Sequence, residues 1–442
     1  MPRLTLIYPA IGRKAGRPFV RSWQLQPLAL ARLAAMTPPE WQITFMDDRV
    51  EILEYSPDTD LVGISIESYS AKRGYEIAAR FRAEGVPVVL GGYHATLCPD
   101  EAGAHADAVC VGEAEGVWPE ILEDSLQGRL KDRYDSDSRQ ALRGIEPDRR
   151  IFKGKSYLPV ALVETSRGCP FHCDFCSIAS VFRGSFRRRP VGEIVGELES
   201  LKEKYVFFVD DNIVGDPEAA GEFFDAITPL GFRWLSQASL HALRDDELIR
   251  RMARSGCIGL LVGFESLDPE NLAVMGKQIN QVELYRDALQ ALRRAGIFVY
   301  GTFIFGYPHD TAESFEHSLR FAHEEKLFVA AFNHLVPFPG TPLFKRLNRE
   351  GRMKYRQWWL HDDYRFGQLP FEPEGMDSIE LEECCRRLRR EFYSWPSMLR
   401  RALEFRCNSR SPRRIREYWM LNLLLRRELS EKFGIELGKN LS

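Results

Sequence analysis

Ser166-Arg-Gly-Cys169-Pro-Phe-His-Cys173-Asp-Phe-Cys176 is the stretch on which the reading of this chain turns. It places three thiols within eight residues, just after an apolar run, Pro159-Val-Ala-Leu-Val163, that reads as a strand. Iron-sulfur clusters are usually held by four cysteines, so a compact trio with no obvious fourth leaves one iron to a ligand from outside the chain. Zinc is disfavoured, because a second C-x-x-C pair at zinc-finger distance is missing. A disulfide framework is disfavoured as well: the nine cysteines are odd in number, and free thiols suit a reducing compartment.

Downstream the pattern alternates. Apolar runs predict strands over 205–209, 234–238, 259–263, 298–305 and 331–336, and amphipathic stretches predict helices over 193–204, 218–227, 245–255 and 282–295. With the strand before the cysteines, these right-handed units wrap into a barrel or an open part of one. Active sites in barrels lie at the carboxyl ends of the strands, which singles out Asp210, Asn212, Gln237, Glu265, Tyr307, His309 and His334. Glu265 suits a partner of hydroxyls or of a positive charge, or else a helix cap or an arginine's partner. No residue is singled out as acid, base or nucleophile.

With these residues the chain resembles the radical S-adenosylmethionine enzymes, whose signature is C-x3-C-x2-C with an aromatic before the third cysteine, here Phe175. Phe207-Phe-Val-Asp-Asp-Asn212, Gly263-Phe-Glu-Ser266 and Pro337-Phe-Pro-Gly-Thr-Pro342 also look like that family's strand ends. The resemblance implies that Cys169, Cys173 and Cys176 bind a 4Fe-4S cluster and that S-adenosylmethionine chelates the fourth iron. It implies a one-electron reductant such as flavodoxin or ferredoxin, and a 5'-deoxyadenosyl radical whose chemistry belongs to the cofactor while the protein aims it. Gln237, Glu265, Asp210 and Asn212 become the cofactor-binding candidates, on a partial (β/α)6 barrel spanning 158–345.

The first part of the chain predicts strands over 4–8, 43–46, 61–66, 86–90 and 108–111, with helices over 26–35 and 71–84, a doubly wound α/β sheet. Ligands bind such sheets at the strands' carboxyl ends, which carry Asp47-Asp48, Ser65, Gly91-Gly92-Tyr-His94 and Gly112-Glu113. Gly63-Ile-Ser65, Gly91-Gly-Tyr-His94-Ala-Thr96 and Gly112-Glu-Ala-Glu115 resemble the cobalamin-binding domain that precedes the barrel in one class of these enzymes. That resemblance implies a corrin contacted by Ser65, Gly91, Gly92, His94, Gly112 and Glu113. The D-x-H-x-x-G stretch that gives cobalt its lower histidine is missing, and Asp47-Asp48-Arg-Val-Glu51 stands near its place. Either the cobalt lacks a histidine ligand or cobalamin is not bound. His94 reads equally as a turn histidine bonded to backbone.

The expected organisation is a cobalamin-binding-like Rossmann domain over 1–127, a charged linker over 128–157, the barrel over 158–345 and a C-terminal helical domain over 346–442. In the last, the clusters around Trp358-Trp359, Phe392 and Tyr418 read as core rather than lid. Adjacent helical residues diverge by about 100 degrees, so Cys384 and Cys385 read as packing. The stretch from Arg410 to Leu425 reads as an amphipathic helix that docks on the barrel, a membrane surface or another subunit. The arginines of 183–189 read as a solvated loop meeting acidic neighbours.

At 442 residues and 44% hydrophobic, the chain fills more than one core. A net charge of -3 offers no basic excess for nucleic acid. No apolar run reaches the ~20 residues of a membrane span, and the amino terminus lacks a signal peptide's layout, so a cytoplasmic enzyme is expected, with membrane contact left open. The expected function is a cobalamin-dependent radical C-methyltransferase acting on an unactivated carbon of a small-molecule or lipid-like substrate. One rival is ring formation, rearrangement or transfer of another group without methylcobalamin. A rival of another class is an iron-sulfur sensor or scaffold.

Overall fold

Two parallel six-stranded sheets organise the chain. The first contains β1 (Arg3–Tyr8), β2 (Gln42–Asp47), β3 (Leu61–Ser65), β4 (Val88–Gly91), β5 (Ala108–Val111) and β6 (Arg133–Asp135), in the order β2-β1-β3-β4-β5-β6. Its apolar runs are continuous because both faces are covered. Ile7, Val62, Ile64, Val88 and Leu90 pack into one core, whereas Leu4, Leu6, Leu61, Val89 and Cys110 pack into another. The β3–β4 register pairs Ser65 with Gly91, so the strands end together.

The structure, a computed structural model, describes all residues except 18, 20–23, 137–141, 143–144, 278 and 440–442, and the side chains of 429 and 430. Part of the expected linker therefore lies outside the described residues. The rest of it corrects the expectation. Strand β6 lies inside it and pairs with β5, and Tyr134 is buried with its hydroxyl donating to Asp124 Oδ2 at 2.9 Å. Phe152 is buried edge-on against Phe45, with ring centroids 5.5 Å apart. Single aromatics set among charges gave no period to read.

The second sheet runs β14-β13-β12-β11-β10-β7, from β7 (Ala161–Val163), β10 (Tyr205–Phe208), β11 (Arg233–Gln237), β12 (Cys257–Glu265), β13 (Phe298–Phe305) and β14 (Val329–His334). This is the expected six-stranded partial barrel. Between β7 and β10, a ribbon of β8 (Ser166–Gly168) and β9 (Phe186–Arg188) pairs antiparallel and brackets the cysteine loop. Asp216 and Asp245 cap the helices Pro217–Ile227 and Asp246–Arg254, satisfying amino-terminal N–H groups that have no partner within the helix.

The C-terminal part is not a domain with its own core. Trp358, Trp359 and Tyr364 pack into a core of the first sheet, while Leu381, Leu388 and Phe392 of the helix Ser378–Phe392 join the barrel core. The aromatics are core, as expected, but each cluster completes a neighbour. Cys385 is buried and Cys384 half-buried, so the adjacent thiols face different surroundings. The first turns of the last helix, Pro412–Lys432, dock on the barrel's amino-terminal end. Arg414 donates to the Ile258 carbonyl at 2.8 Å, and Glu417 meets Arg233 at 3.0 Å.

Candidate functional site

The cysteine loop is tied down on both sides. Asp210, just past β10, accepts the backbone N–H groups of Thr165 and Ser166, each at 2.7 Å, and the Thr165 hydroxyl. Asp211 accepts the Gly168 N–H at 3.0 Å. Burial pushes both carboxyls up to about 6 even though these donors pull the other way. Across the barrel, Asp174 accepts the Tyr307 hydroxyl at 2.6 Å and pairs with Arg346 at 2.8 Å. Asp174 lies inside the cysteine motif itself, and sequence reading passed over it. Gly184 closes the loop at φ 76°, where a Cβ would fall 2.2 Å from the His172 ring.

All three motif thiols are half-buried, and burial pushes each up, Cys173 to about 12. Backbone N–H groups of Phe171 (toward Cys169) and of Ile178 and Ala179 (toward Cys176) oppose that push. Thiolates here therefore call for a cationic group among them. Among the described residues no three His, Cys, Asp or Glu side chains are grouped as one metal ion would need.

Because Asp210 spends its oxygens on the loop's backbone, it acts as an anchor and not as a contact to a cofactor. Asp210→Ala would leave those buried N–H groups without partners and is expected to cost about 2–3 kcal/mol. Denaturant midpoints check this, and an unchanged midpoint together with wild-type iron content refutes the anchor.

Glu265 ends β12 at a register shift, with φ 63°, a left-handed conformation costly for a non-glycine residue. Asn280 Nδ2 holds this kink by donating to the carbonyls of Gly263 at 2.9 Å and Phe264 at 3.1 Å. The buried Glu265 carboxylate meets Lys277 Nζ at 2.6 Å. Lys277 also acts electrostatically on Cys173 and Cys176. It lies past the helix Pro269–Val274 rather than at a strand end, so no strand-end rule finds it. Asn212 Oδ1 accepts from the Ser239 N–H and hydroxyl, each at 3.1 Å, leaving its buried Nδ2 without a partner. Gln237 is half-buried at the end of β11. Glu265 and Lys277 thus stand beside the thiols, while Asn212, with its orphaned donor, and Gln237 lie past β10 and at the end of β11.

A cavity of about 420 Å³ lies where the first sheet's strand ends face the barrel, lined by Ser65, Gly91, Gly92, Gly112 and Glu113, with Phe182 from the cysteine loop. Gly92 has φ 95°, and a Cβ there would fall 2.7 Å from the Ile66 carbonyl oxygen, so the turn needs glycine. His94 corrects the corrin expectation. It is fully buried away from this cavity, with Nδ1 3.1 Å from Ser68 Oγ and Nε2 3.0 Å from Glu101. Trp359 Nε1 also donates to Glu101, at 2.9 Å, so this histidine fastens the C-terminal segment to the first sheet. Asp47 is taken up by Arg49 and Tyr157, and Asp48 by Arg13 and Arg73. Among the described residues the lining is a glycine-edged floor with Trp118, which would suit a flat macrocycle. Arg167 joins this cavity to the cysteine loop through Glu113, Glu115 at 2.7 Å and Glu164 at 3.0 Å. Arg187 meets Glu113 at 2.8 Å and Arg189 meets Glu197 at 2.6 Å, so these arginines pair with acids as expected, but with side chains 13% and 4% exposed they are not solvated.

A second cavity, also of about 420 Å³, occupies the barrel lumen. Its walls are mostly apolar, with Phe175, Ile304, Val336 and Phe338, and it reaches Tyr69 of the first sheet and Lys432 of the last helix. His334 lines it, and its buried Nε2 has no hydrogen-bond partner. Burial pushes this imidazole down to about 3, so it is neutral at ordinary pH. The ring's other nitrogen donates its N–H to the Gln368 carbonyl, which leaves Nε2 as the unprotonated acceptor.

The family model described as the Radical SAM superfamily matches residues 163–322. The chain is 31% identical over 388 residues to bacteriochlorophyllide d C-12(1)-methyltransferase of Chlorobaculum tepidum, covering 85% of this chain and 84% of that protein. It is 26% identical over 394 residues to hopanoid C-2 methylase of Rhodopseudomonas palustris, covering 84% and 73%. In fold it is similar to the cobalamin-dependent S-adenosylmethionine radical enzyme OxsB with aqua-cobalamin and S-adenosylmethionine bound, at TM-score 0.67 and 15% identity, over 98% of this chain and 72% of that one.

Proposed function

This chain belongs to the radical S-adenosylmethionine superfamily, and we propose that it is a cobalamin-dependent member that methylates an unactivated carbon of a mainly apolar, lipid-like or tetrapyrrole-like small molecule. The observation that carries this reading is the pair of cavities at facing strand ends, one glycine-edged and one apolar, with the cysteine loop contributing Phe182 to the first and Phe175 to the second. The names of the relatives support a tetrapyrrole or polycyclic lipid as the substrate class. When bound, the cluster and S-adenosylmethionine supply a 5'-deoxyadenosyl radical and cobalamin supplies the methyl group.

The chain's part is to hold and to aim. Cys169, Cys173 and Cys176 bind the cluster. Glu265, Lys277, Gln237 and the free Asn212 Nδ2 orient S-adenosylmethionine. Ser65, Gly91, Gly92, Gly112 and Glu113 would bound the corrin. The apolar lumen excludes water and seats the substrate. A small-molecule substrate and a one-electron reductant are required by the family's chemistry, and flavodoxin or ferredoxin suits the second role. Nine unpaired thiols favour the reducing cytoplasm. Among the described residues no helix is long and apolar enough to cross a membrane.

Anaerobic reconstitution with iron, sulfide and a corrinoid, followed by assay with a bacteriochlorophyllide and a hopanoid, tests the reading. One added methyl group together with 5'-deoxyadenosine supports it. No corrinoid binding at saturation rejects it.

His334 provides a sharper check. His334→Leu removes one neutral acceptor, worth ~1 kcal/mol, so KM is expected to rise about five- to tenfold while abortive 5'-deoxyadenosine release stays unchanged. Because the imidazole stays uncharged, the wild-type KM should be flat from about pH 5 to about pH 8. An inflection near pH 6 to 7 that His334→Leu abolishes would contradict this.

A further inference from the structure

The helix Trp395–Ala402, the segment after it and the helix Pro412–Lys432 carry an apolar surface that none of the described residues covers. Trp395, Leu399, Leu403, Phe405, Met420 and Leu423 are each 41 to 68% exposed. The two helices present one continuous surface, because the Trp395 ring lies 6.2 Å from that of Trp419 and Arg426 sits over Trp395 at 5.4 Å. Exposed large apolar groups in a contiguous patch mark a place of contact.

Within this stretch the exposed charge has one sign, and acids stand only at its borders, where Glu391 is exposed and Glu431 lies 4.0 Å from Arg427. Between Trp395 and Arg427 every exposed ionisable side chain is an arginine, including Arg400, Arg406, Arg413, Arg416, Arg426 and Arg427. The two acids of the segment are buried and committed to the interior. Glu404 accepts the N–H groups of Arg406, Cys407 and Asn408, and Glu417 pairs with Arg233. The whole chain carries -3, so this concentration is local.

We propose that this face docks on an anionic lipid bilayer, with Trp395, Leu399, Leu403, Phe405, Met420 and Leu423 entering the acyl boundary and the arginines meeting lipid phosphates. Burying apolar side chains while cations stay at headgroup level is the physics of interfacial helices. Nucleic acid is the poorer partner, because four of the six exposed apolar groups, Leu399, Leu403, Met420 and Leu423, offer bases little to stack on. A second copy is poorer still, because a twofold interface would set the arginines of one patch against those of the other. The same terminal helix contributes Leu425 and Lys432 to the lumen cavity, which puts the bilayer beside a route for an apolar molecule. The docking itself does not depend on the reaction proposed above.

The test is sedimentation of the full-length, cluster-reconstituted protein with vesicles of phosphatidylcholine alone and of phosphatidylcholine with about 30% phosphatidylglycerol, at physiological salt. Binding at least about tenfold stronger to the anionic vesicles is expected, falling at least about tenfold in Leu399→Ser/Leu403→Ser and again in Arg416→Glu/Arg427→Glu. Two variants of different chemistry, both with wild-type cluster absorbance, separate loss of contact from misfolding. Equal binding to both vesicle types overturns the proposal, as do variants that bind like wild type. So does a face that instead binds a single-stranded oligonucleotide, or dimerises, while ignoring vesicles.

Discussion

Cys173→Ala is expected to lower 5'-deoxyadenosine formation by at least about 10³-fold, and each of Cys169→Ala and Cys176→Ala should do the same. The thiols form one donor set, and a cluster that already leaves one iron to an outside ligand has no protein ligand to spare. Iron and sulfide per chain after anaerobic reconstitution should fall in parallel, with loss of cluster absorbance. Cys385→Ala is the control. That thiol is buried in the barrel core, and its loss should act only on stability, by roughly 1 kcal/mol. The assignment fails if a single motif variant keeps a full complement of iron and wild-type turnover. It also fails if Cys385→Ala matches the motif variants.

Much of the fold was legible because buried parallel strands write themselves as short apolar runs. The runs at 61–66 and 298–305 became β3 and β13 within a residue or two. The cysteine motif was legible because metal chemistry fixes both residue type and spacing. What escaped reading depended on three-dimensional partnership. His94 stands beside a glycine pair, as a ligand contact would, yet its side chain turns inward to Ser68 and Glu101, which no local pattern encodes. Strand β6 was hidden because an edge strand of three residues with one buried tyrosine has no period. Asp174 and Asp210 carry the chemistry of strand-end ligands but are consumed in fastening the loop, a use that appears only when Tyr307, Arg346 and the Thr165 N–H arrive from elsewhere.

Lys277 is the most consequential residue that sequence reading missed, and Lys277→Met is expected to be among the most damaging single changes in the barrel. Burial pulls the Lys277 ammonium down, but Glu265 and the nearby thiols more than offset this and hold it above its ordinary value. The sign follows: the pair's stabilisation is complete below the usual lysine value of 10.5 and is lost only as pH climbs through the higher folded value, so it does not titrate near neutrality. Removing the cation leaves Glu265 charged and buried at a backbone position already strained, and breaking one side of a buried pair typically costs ~3–5 kcal/mol. Restoring neutrality with Lys277→Met/Glu265→Gln should therefore recover most of the stability, since the penalty comes from the unpaired charge and not from lost packing. Activity should not recover, because both groups proposed to orient S-adenosylmethionine are then gone. Anaerobic denaturation of the wild type, the two single variants and the double variant closes the cycle. If Lys277→Met unfolds at the wild-type midpoint, or the double variant is no more stable than the single, the pair does not hold this end of the barrel together. If the double variant retains wild-type turnover, neither side chain positions the cofactor.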